Sequence, residues 1–287
     1  MIFGAGYVGG ALARQAVAVG LRVTALTRNP DRAAELTAAG IDAVTADLAS
    51  TDWHDRIPAD AELVLNCVAS GGGGLPGYRH GYVDGFRSIL AWAARAATPG
   101  HLIYTGSTSV YPQGDGARID ETVPSIPPSD NEPAGLLATA ETLAQRWPGR
   151  RTVLRLAGIY GPDRHHLLDQ LRTTPPPTTL PGAGEHHLNL IHRDDICGGC
   201  WAAWSAGDAA TGIFNLADDG AATRAELVAW LCVRLGVPVP AFTGEAAPGR
   251  RRVTPDRVID NAKARRELGW HPCYPTFREG YAALLEP

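Results

Sequence analysis

The sequence predicts an α/β fold, with a doubly wound parallel sheet followed by a smaller C-terminal lobe. Short apolar runs alternate with helical stretches through residues 1–161, which is the pattern of consecutive βαβ units. A glycine-rich turn connects the first apolar run to the first helix. A proline-rich stretch at residues 174–181 cannot form a helix interior or a central strand, so we expect it to cross toward the second lobe.

The predicted elements follow in order along the chain. The first strand is confined to residues 1–3, because Gly4 comes directly after them. The first helix ends at Gly20, and its apolar face consists of Val8, Leu12, Gln15 or Ala16, and Val19. Further strands are predicted at residues 21–26, 41–45, 62–68, 101–105 and 152–156, with another helix at about 82–97. Two sets of residues then form the two parts of the fold: 1–161 with about 190–217 form a Rossmann-type domain, and 162–189 with 218–287 form the smaller lobe.

The turn after the first strand matches G-x-G-x-x-G at Gly4, Gly6 and Gly9. Because a strand precedes it and a helix follows, the match indicates a dinucleotide-binding turn. Gly4 permits the tight turn, Gly6 lets the backbone approach a pyrophosphate, and Gly9 lets the helix pack on the strand. The N–H groups of the first helical turn, at Tyr7 and Val8, then face the phosphates. The sequence therefore predicts an NAD(P) site.

The end of the second strand decides between NAD and NADP. NAD-selective sites place an Asp or Glu there, which binds the ribose 2′-hydroxyl. This chain has Thr27-Arg28-Asn29 at that point, with Arg32 one turn later. The Arg28 guanidinium can stack on adenine and pair with a 2′-phosphate. We therefore predict NADP as the cofactor, with NAD as the alternative.

Composition and charge exclude several classes of protein. The 287 residues carry a net charge of -4, and the arginines are scattered apart from the short run Arg250-Arg251-Arg252, so no nucleic-acid partner is expected. No apolar stretch is long enough to span a bilayer and no export signal begins the chain, so no membrane partner is expected. The five cysteines, an odd number, do not indicate a disulfide framework, which favours the cytoplasm.

Motifs spread along almost the whole chain carry a family resemblance. They are Gly4 to Gly9, Asp47-Leu48, Cys67-Val68-Ala69, Tyr104 to Tyr111, Asp120-Glu121, Arg155 to Pro162, Asn189 to Ile196, Phe214-Asn215-Leu216 and Lys263 to Pro272. With these motifs the chain resembles an atypical extended short-chain dehydrogenase/reductase of the NAD(P)-dependent epimerase/dehydratase type. It is atypical because most extended members have one more residue before the second glycine of the first motif.

The resemblance implies roles for residues at three strand ends. Asp47 and Leu48 would flank the adenine. The ribose and phosphates would be lined by Cys67, Val68 and Ala69. Ser107 stands where the family keeps its catalytic Ser or Thr. The resemblance also implies a small-molecule substrate.

The family's catalytic Tyr-x-x-x-Lys pair is missing from this chain. Counting back from Glu141 places the Tyr position at Pro133 and the Lys position at Leu137, and residues 112–149 contain neither Tyr nor Lys. In the family the Tyr is the general acid/base and the Lys lowers its pKa, which a proline and a leucine cannot do. Gly158 also replaces an Asn with which sugar-nucleotide epimerases bind substrate, so a sugar nucleotide is a less expected substrate.

Four other side chains are candidates for the chemistry. Ser107 can bind a substrate oxygen, or it can cap nearby backbone. Tyr111 is the nearest phenol and is a catalytic candidate, with packing under the loop as the alternative. Tyr78 and His80 follow a run of four glycines, and the loop that carries them is expected to face the same crevice.

Two histidine pairs and a C-x-x-C motif have less specific interpretations. Cys197-Gly-Gly-Cys200 has no second C-x-x-C to complete a zinc site, so we interpret both cysteines as packing residues of one helix face and predict no metal site. His165-His166 and His186-His187 fall in predicted loops of the lobe, where they either supply a proton or are solvated.

Two hypotheses about function follow. In the first, the protein is an NAD(P)-dependent epimerase/dehydratase-like oxidoreductase with a relocated acid/base. In the second, it is a non-catalytic NADP-binding sensor or partner-binding protein. The absence of the Tyr-x-x-x-Lys pair favours this second hypothesis. The segments Tyr160-Gly161-Pro162 and Trp270-His271-Pro272 of the substrate lobe favour the first, which we prefer. The sequence does not identify the substrate. It also does not decide whether the chain forms a homodimer.

Overall fold

A computed structural model describes residues 1–245 and 255–286, so the run Arg250-Arg251-Arg252 lies outside the described residues. The elements of the first part of the chain are β1 (Ile2–Phe3), α1 (Tyr7–Ala18), β2 (Thr24–Thr27), α2 (Pro30–Ala38), β3 (Asp42–Thr45), β4 (Leu63–Asn66), α3 (Gly74–Tyr78), a π-helical segment (Arg79–Asp84), α4 (Gly85–Ala93), β5 (His101–Ser107), β6 (Ala117–Ile119), α5 (Pro133–Ala144), β7 (Arg151–Leu156) and β8 (Gly158–Tyr160). Those of the second part are α6 (His166–Leu171), β9 (Thr179–Leu180), β10 (His187–Leu188), β11 (Leu190–His192), α7 (Arg193–Ser205), β12 (Gly212–Leu216), β13 (Ala222–Thr223), α8 (Arg224–Leu235), β14 (Ala241–Phe242), β15 (Arg257–Ile259), α9 (Ala262–Leu268) and α10 (Phe277–Leu285).

The central sheet confirms the predicted doubly wound architecture. Within the described residues, seven parallel strands lie in the order β12-β7-β5-β4-β1-β2-β3. From β1 the chain builds outward to β2 and β3 on one side, then returns to build β4, β5, β7 and β12 on the other. Ligands of such sheets bind at the carboxyl ends of the strands, where the direction of strand order reverses. Here that point lies between β1 and β4.

The two-residue strand β1 is stabilised by packing on both faces of the sheet. Successive side chains of a strand point to opposite faces. Ile2 accordingly belongs to an apolar cluster that includes residues of α1, α7 and α9, whereas Phe3 belongs to a second cluster that includes residues of α4 and α5. Phe3 is fully buried, and its ring meets Trp53 and Trp92 edge-on at 5.1 and 5.4 Å between centroids. The short strand therefore has an anchored side chain in each half of the core.

Three predicted elements differ from the observed ones. The helix predicted at about 82–97 begins much earlier, at Gly74, because the glycine-rich run itself enters the helix through α3 and the π-helical segment. Val19 was predicted on the buried face of α1, but it is 71% exposed, because α1 ends at Ala18 and Gly20 then takes a positive φ of 83°. The second strand likewise begins only at Thr24.

A third apolar cluster lies apart from the two that flank the sheet. It is built from α6, α8 and α10, and includes Leu168, Leu171, Leu227, Leu231 and Phe277. Short parallel strand pairs also form outside the central sheet, among them β11 beside β8 and β15 beside β6. The boundaries of the smaller lobe stay a prediction. None of the described helices is long and apolar enough to cross a membrane.

Candidate cofactor site and active site

The carboxyl ends of β1, β2, β4 and β5 open into a cavity of about 1020 Å³. Its volume is at the upper end of the range for small-molecule sites, as a dinucleotide requires. Most of the residues that we predicted for the site line it: Gly4, Gly6, Tyr7, Val8, Arg28, Asp47, Leu48, Cys67, Val68, Ala69 and Ser107. Gly9 and Tyr111 are not part of the wall.

The three glycines of the turn have different physical roles. Gly4 has a φ of +81°, and a Cβ there would lie 2.6 Å from the backbone nitrogen of Val68. A Cβ at Gly9 would lie 2.3 Å from the carbonyl oxygen of Gly4. A Cβ at Gly6, by contrast, would meet no atom within 4 Å. Packing of the protein itself therefore requires Gly4 and Gly9, whereas Gly6 borders the cavity.

The first turn of α1 presents backbone N–H groups to the cavity. Among the described residues, no side chain caps this helix and no acidic residue lies in its first turn. The carbonyls of the turn are held instead by Arg32, whose Nε donates to Ala5 O at 3.1 Å while its Nη1 pairs with Glu35 at 2.6 Å. Uncapped N–H groups and the positive end of the helix dipole form an anion site. A pyrophosphate fits this turn.

One end of the cavity, called here the β3 side, is formed by Arg28, Asp47 and Leu48. The Arg28 guanidinium lies against the backbone of Gly71, where a Cβ would come within 2.3 Å of Nη2. No ion pair joins Arg28 to a carboxylate of the described residues. His80 Nε2 lies 2.9 Å from Asp47 Oδ1 at this end of the cavity. An exposed arginine that forms no ion pair with the described carboxylates can pair with a 2′-phosphate.

The opposite end, called here the β5 side, is formed by Thr105 to Ser109 and by Leu156 to Ile159. The Ser107 Oγ accepts a hydrogen bond from Ser109 N at 3.1 Å, so the serine caps the short 3₁₀ turn after β5. Its hydroxyl hydrogen stays available to a ligand. Cys67 lies between the two ends, and burial raises the pKa of its thiol to about 12, which keeps it neutral.

Tyr111 was predicted as a catalytic phenol, and the structure shows this prediction to be wrong. The side chain is 2% exposed, and its hydroxyl donates to Asn215 Oδ1 at 2.9 Å. The Arg155 guanidinium lies 4.6 Å above the ring. The 3₁₀ turn at Thr108–Val110 turns the chain inward, so Tyr111 points into the core instead of the cavity. The packing alternative is the correct one.

Sequence reasoning missed Tyr82, which lines the cavity, and preferred Tyr78, which does not. The two rings lie 5.4 Å apart along the same helical stretch. Tyr82 and His80 both belong to the π-helical segment, which widens the helix toward the cavity. Burial raises the pKa of Tyr82 to about 12, against the opposing effects of the Ser70 backbone and the positive charge of Arg164. No pattern in the sequence marks a π-helical turn, so no signal could have found this residue.

Sequence reasoning also missed Arg164. A tight turn presents it: Gly161 and Arg164 exchange backbone hydrogen bonds of 3.2 and 3.0 Å, and Asp163 takes a positive φ of 61°. The guanidinium lies 5.6 Å from the ring centroid of Tyr7, whose hydroxyl donates to Pro162 O at 2.8 Å. Arg164 thus reaches the cavity from the chain that follows β8. A cation directly after Gly-Pro-Asp was a readable signal.

The C-x-x-C cysteines and the histidine pairs lie elsewhere. Cys197 and Cys200 are 0% and 1% exposed on α7, which confirms that both are packing residues. His165 Nδ1 lies 2.8 Å from Asp169, and His187 Nδ1 lies 2.7 Å from Asp256. Among the described residues that line the cavity, none belongs to either histidine pair.

Comparison with known proteins places this geometry in a family. Residues 1–217 match the NAD dependent epimerase/dehydratase family. The chain belongs to this family. The chain is similar to protein YeeZ of Escherichia coli K12. The two are 28% identical over 281 residues, which cover 96% of this chain and 95% of that protein. A 3-diazoavenalumate denitrifying reductase from a Streptomyces species is 30% identical over 206 residues, or 67% of each chain.

Solved structures confirm the fold of this epimerase/dehydratase family member. A functionally unknown conserved protein from Silicibacter pomeroyi aligns with a TM-score of 0.75 at 26% identity, covering 99% of this chain and 96% of that one. UDP-glucuronic acid 4-epimerase from Bacillus cereus, in complex with UDP-glucuronic acid and NAD, aligns with a TM-score of 0.82 at 20% identity, covering 99% and 97%. The extended short-chain dehydrogenase/reductase resemblance is therefore confirmed.

Pro133 and Leu137, where we predicted the family's Tyr and Lys positions, belong to an apolar helix in the structure. Pro133 begins α5. Leu137, one turn later, is 5% exposed and packs with Val110 and Ala138 in a small apolar cluster. The rings of Tyr78 and Tyr82 cover this cluster. A phenol of the π-helical segment thus lies against the place where the family would have its lysine.

Proposed function

We propose that the protein is an NADP(H)-dependent oxidoreductase that reduces a carbonyl group, or oxidises an alcohol, of a small molecule. The observation that carries this proposal is one continuous cavity whose wall combines an uncapped helix N-terminus, an arginine at one end and hydroxyl groups at the other. The three features match the three parts of a nicotinamide dinucleotide and its substrate: pyrophosphate, phosphorylated adenosine and reacting carbonyl.

The chain's own residues would hold the cofactor along the carboxyl edge of the sheet. Gly6, Tyr7 and Val8 would bind the pyrophosphate through backbone N–H groups, with Gly4 and Gly9 shaping that turn. The adenosine would lie on the β3 side, against Arg28, Asp47 and Leu48. The ribose and phosphates would be lined by Cys67, Val68 and Ala69. Bound NADPH supplies a hydride, and Ser107 would orient the substrate oxygen that becomes protonated.

The substrate proposed here is a small carbonyl compound or alcohol. The Streptomyces relative is named a reductase, and the Bacillus cereus neighbour binds UDP-glucuronic acid and NAD, which supports hydride chemistry on a small molecule. Gly158 lines the cavity on the β5 side, and a Cβ there would lie 3.0 Å from Asn189 O. No amide side chain is present at this position to bind a sugar hydroxyl, which disfavours a sugar nucleotide.

Calorimetry with both cofactors tests the proposed NADP preference. We expect NADPH to bind more tightly than NADH, and Arg28→Ala to reduce the difference, because a charge-assisted pairing of guanidinium and phosphate contributes about 1.5 to 3 kcal/mol. The matched control is Arg22→Ala, which removes an exposed arginine that does not line the cavity. Equal affinities of the wild-type protein for NADH and NADPH would refute the preference.

The apolar residues Pro133 and Leu137 favour a second candidate, a non-catalytic NADP-binding sensor or partner-binding protein. The two functions differ in turnover. An oxidoreductase oxidises NADPH, followed at 340 nm, when it is screened against aldehydes and ketones. Tight NADPH binding without oxidation across such a screen would support the binding protein instead.

A further inference from the structure

We infer that Tyr82 is the general acid/base of this protein, acting in the cavity in place of the missing Tyr-x-x-x-Lys pair. The inference rests on the proposed oxidoreductase function. Three observations support it. Other proton-bearing side chains of the cavity wall have partners elsewhere. Tyr82 itself lines the cavity, and the backbone around it directs its phenol there.

Other proton-bearing side chains of the cavity wall are engaged or misplaced. The Tyr7 hydroxyl donates to Pro162 O at 2.8 Å. His80 is bound to Asp47 at 2.9 Å, on the β3 side, where the adenosine is expected. Cys67 lies between the two ends of the cavity, and its thiol is hydrogen-bonded to the Thr105 side chain. A proton donor must lie within hydrogen-bond reach of the reacting oxygen. Tyr7 and His80 are thus bound to Pro162 and Asp47, and the Cys67 thiol lies between the two ends of the cavity.

Tyr82 lies toward the β5 side of the cavity. Its ring packs on the cluster of Val110, Leu137 and Ala138, and Val110 is three residues beyond Ser107. The positive charge of Arg164, which enters from the chain after β8, acts on its phenol. Ser107, Tyr82 and Arg164 all line the same cavity. Ser107 and a phenol with a cation nearby therefore share one cavity wall, which is the arrangement that the proposed proton transfer needs.

The backbone holds Tyr82 toward the cavity through two close approaches of the helical stretch to the glycine-rich loop. A Cβ at Gly77 would lie 1.8 Å from Gly72 O, and a Cβ at Gly81 would lie 3.1 Å from Ala69 O. The stretch follows a π-helical path at Arg79–Asp84, and such turns occur frequently at functional sites. The glycines allow the helix to lie against the loop, and the π turn directs both His80 and Tyr82 into the cavity.

The proton balance of the proposed step is as follows. In reduction, the substrate carbonyl carbon receives the hydride that NADPH supplies, and the C=O electron pair moves to the oxygen. That oxygen takes the proton of the Tyr82 hydroxyl, which yields the alcohol and a phenolate. Water then returns a proton to the phenolate, and Arg164 stabilises the negative charge in the interval. Because burial raises the pKa of Tyr82 to about 12, the phenol carries its proton at neutral pH and is ready to act as an acid.

Tyrosine ionisation tests the inference without any substrate. With ¹³Cζ-labelled tyrosine, NMR titration of the NADP⁺ complex should show one tyrosine whose pKa falls by at least about one unit relative to the cofactor-free protein, because the cationic nicotinamide favours a nearby phenolate. Tyr82→Phe should remove this signal while NADP⁺ affinity, measured by calorimetry, changes less than twofold. The matched control is Tyr78→Phe, which removes the hydroxyl of the neighbouring ring outside the cavity wall and should retain the signal.

Each outcome of this experiment has a defined meaning. The inference is overturned if the cofactor-sensitive tyrosine survives in Tyr82→Phe, is lost in Tyr78→Phe, or is missing from a wild-type protein that binds NADP⁺. Failure of the wild-type protein to bind NADP⁺ refutes the proposed function itself, which is a separate result. Arg164→Gln provides a second measurement that keeps the phenol: we expect a higher pKa for the same tyrosine, and an unchanged pKa counts against the inference.

Discussion

At the scale of single residues, Asp218 is a carboxyl group whose burial has a consequence for stability. It follows β12, is 6% exposed, and accepts one hydrogen bond, from Gly220 N at 3.2 Å, while its Oδ2 has no partner among the described residues. Burial raises its pKa to about 8, and the negative charges of Asp219 and Asp195 act in the same direction. The folded protein therefore keeps this carboxyl protonated at pH values where the unfolded chain ionises it.

The resulting pH dependence has a definite sign. An unfolded Asp titrates near pH 4, so the stability associated with the raised pKa is fully present below that pH and is lost as pH rises through about 8. Between pH 5 and 8 we expect the free energy of unfolding of the wild-type protein to fall relative to that of Asp218→Asn, by up to about 1.4 kcal/mol per pH unit. Urea unfolding of both proteins at several pH values measures this difference, and parallel curves would contradict it.

The glycines of the first turn give a second prediction at the residue scale. Gly9→Ala places a methyl group 2.3 Å from Gly4 O, so we expect it to destabilise the cofactor-free protein by about 1 to 3 kcal/mol. Gly6→Ala meets no protein atom within 4 Å, so we expect a smaller loss of stability but at least tenfold weaker NADPH binding, because the methyl group occupies the cofactor's space. Urea unfolding and calorimetry separate the two effects. Normal NADPH affinity in Gly6→Ala would place the pyrophosphate elsewhere.

At the scale of elements, the C-terminal helix α10 is fixed at its start by a capping box. Thr276 accepts a hydrogen bond from the backbone of the first turn, and Glu279 Oε2 accepts from Thr276 N at 2.9 Å. The helix packs closely on the third apolar cluster, which contains Tyr160, since a Cβ at Gly280 would lie 1.9 Å from the Tyr160 hydroxyl. The position of the first turn therefore determines how α10 meets Tyr160.

Thr276→Ala should destabilise the protein by about 1 kcal/mol, because the first-turn N–H groups of α10 lose their side-chain acceptor. The control is Thr276→Ser, which keeps the hydroxyl and should retain most of the stability. Thermal or urea unfolding measures both variants. Equal losses in the two would show that the methyl group of Thr276, not its hydroxyl, carries the contribution.

At the scale of the whole molecule, the cavity joins the two halves of the chain. The turn Gly4 to Gly9 belongs to the first βαβ unit, whereas Arg164 and the segment from Leu156 to Ile159 come from the chain around β8. The hydrogen bond from Tyr7 to Pro162 O bridges the two directly. A dinucleotide bound along the sheet edge would contact both parts of this wall.

The sequence by itself determined the doubly wound parallel sheet, the glycine turn and almost all of the predicted cofactor wall. These features depend on local patterns. The alternation of strands and helices places the carboxyl ends of β1, β2 and β4 at one edge of the sheet. The residues directly after each strand therefore line the cavity at that edge. The absence of the Tyr-Lys pair was likewise readable, since it concerns residue identity at Pro133 and Leu137.

Only the tertiary structure decided which of Tyr78, Tyr82 and Tyr111 lines the cavity. Tyr111 and Tyr78 are close to the site in sequence, but a 3₁₀ turn directs Tyr111 into the core and a π turn brings Tyr82, not Tyr78, to the cavity wall. Each turn changes the direction of the side chains by a fraction of a helical turn. Contacts with distant residues fix that direction: Asn215 binds Tyr111, and Leu137 packs against Tyr82. Such long-range contacts leave no local pattern in the sequence. The direction of these tyrosine side chains could therefore not be predicted from the sequence.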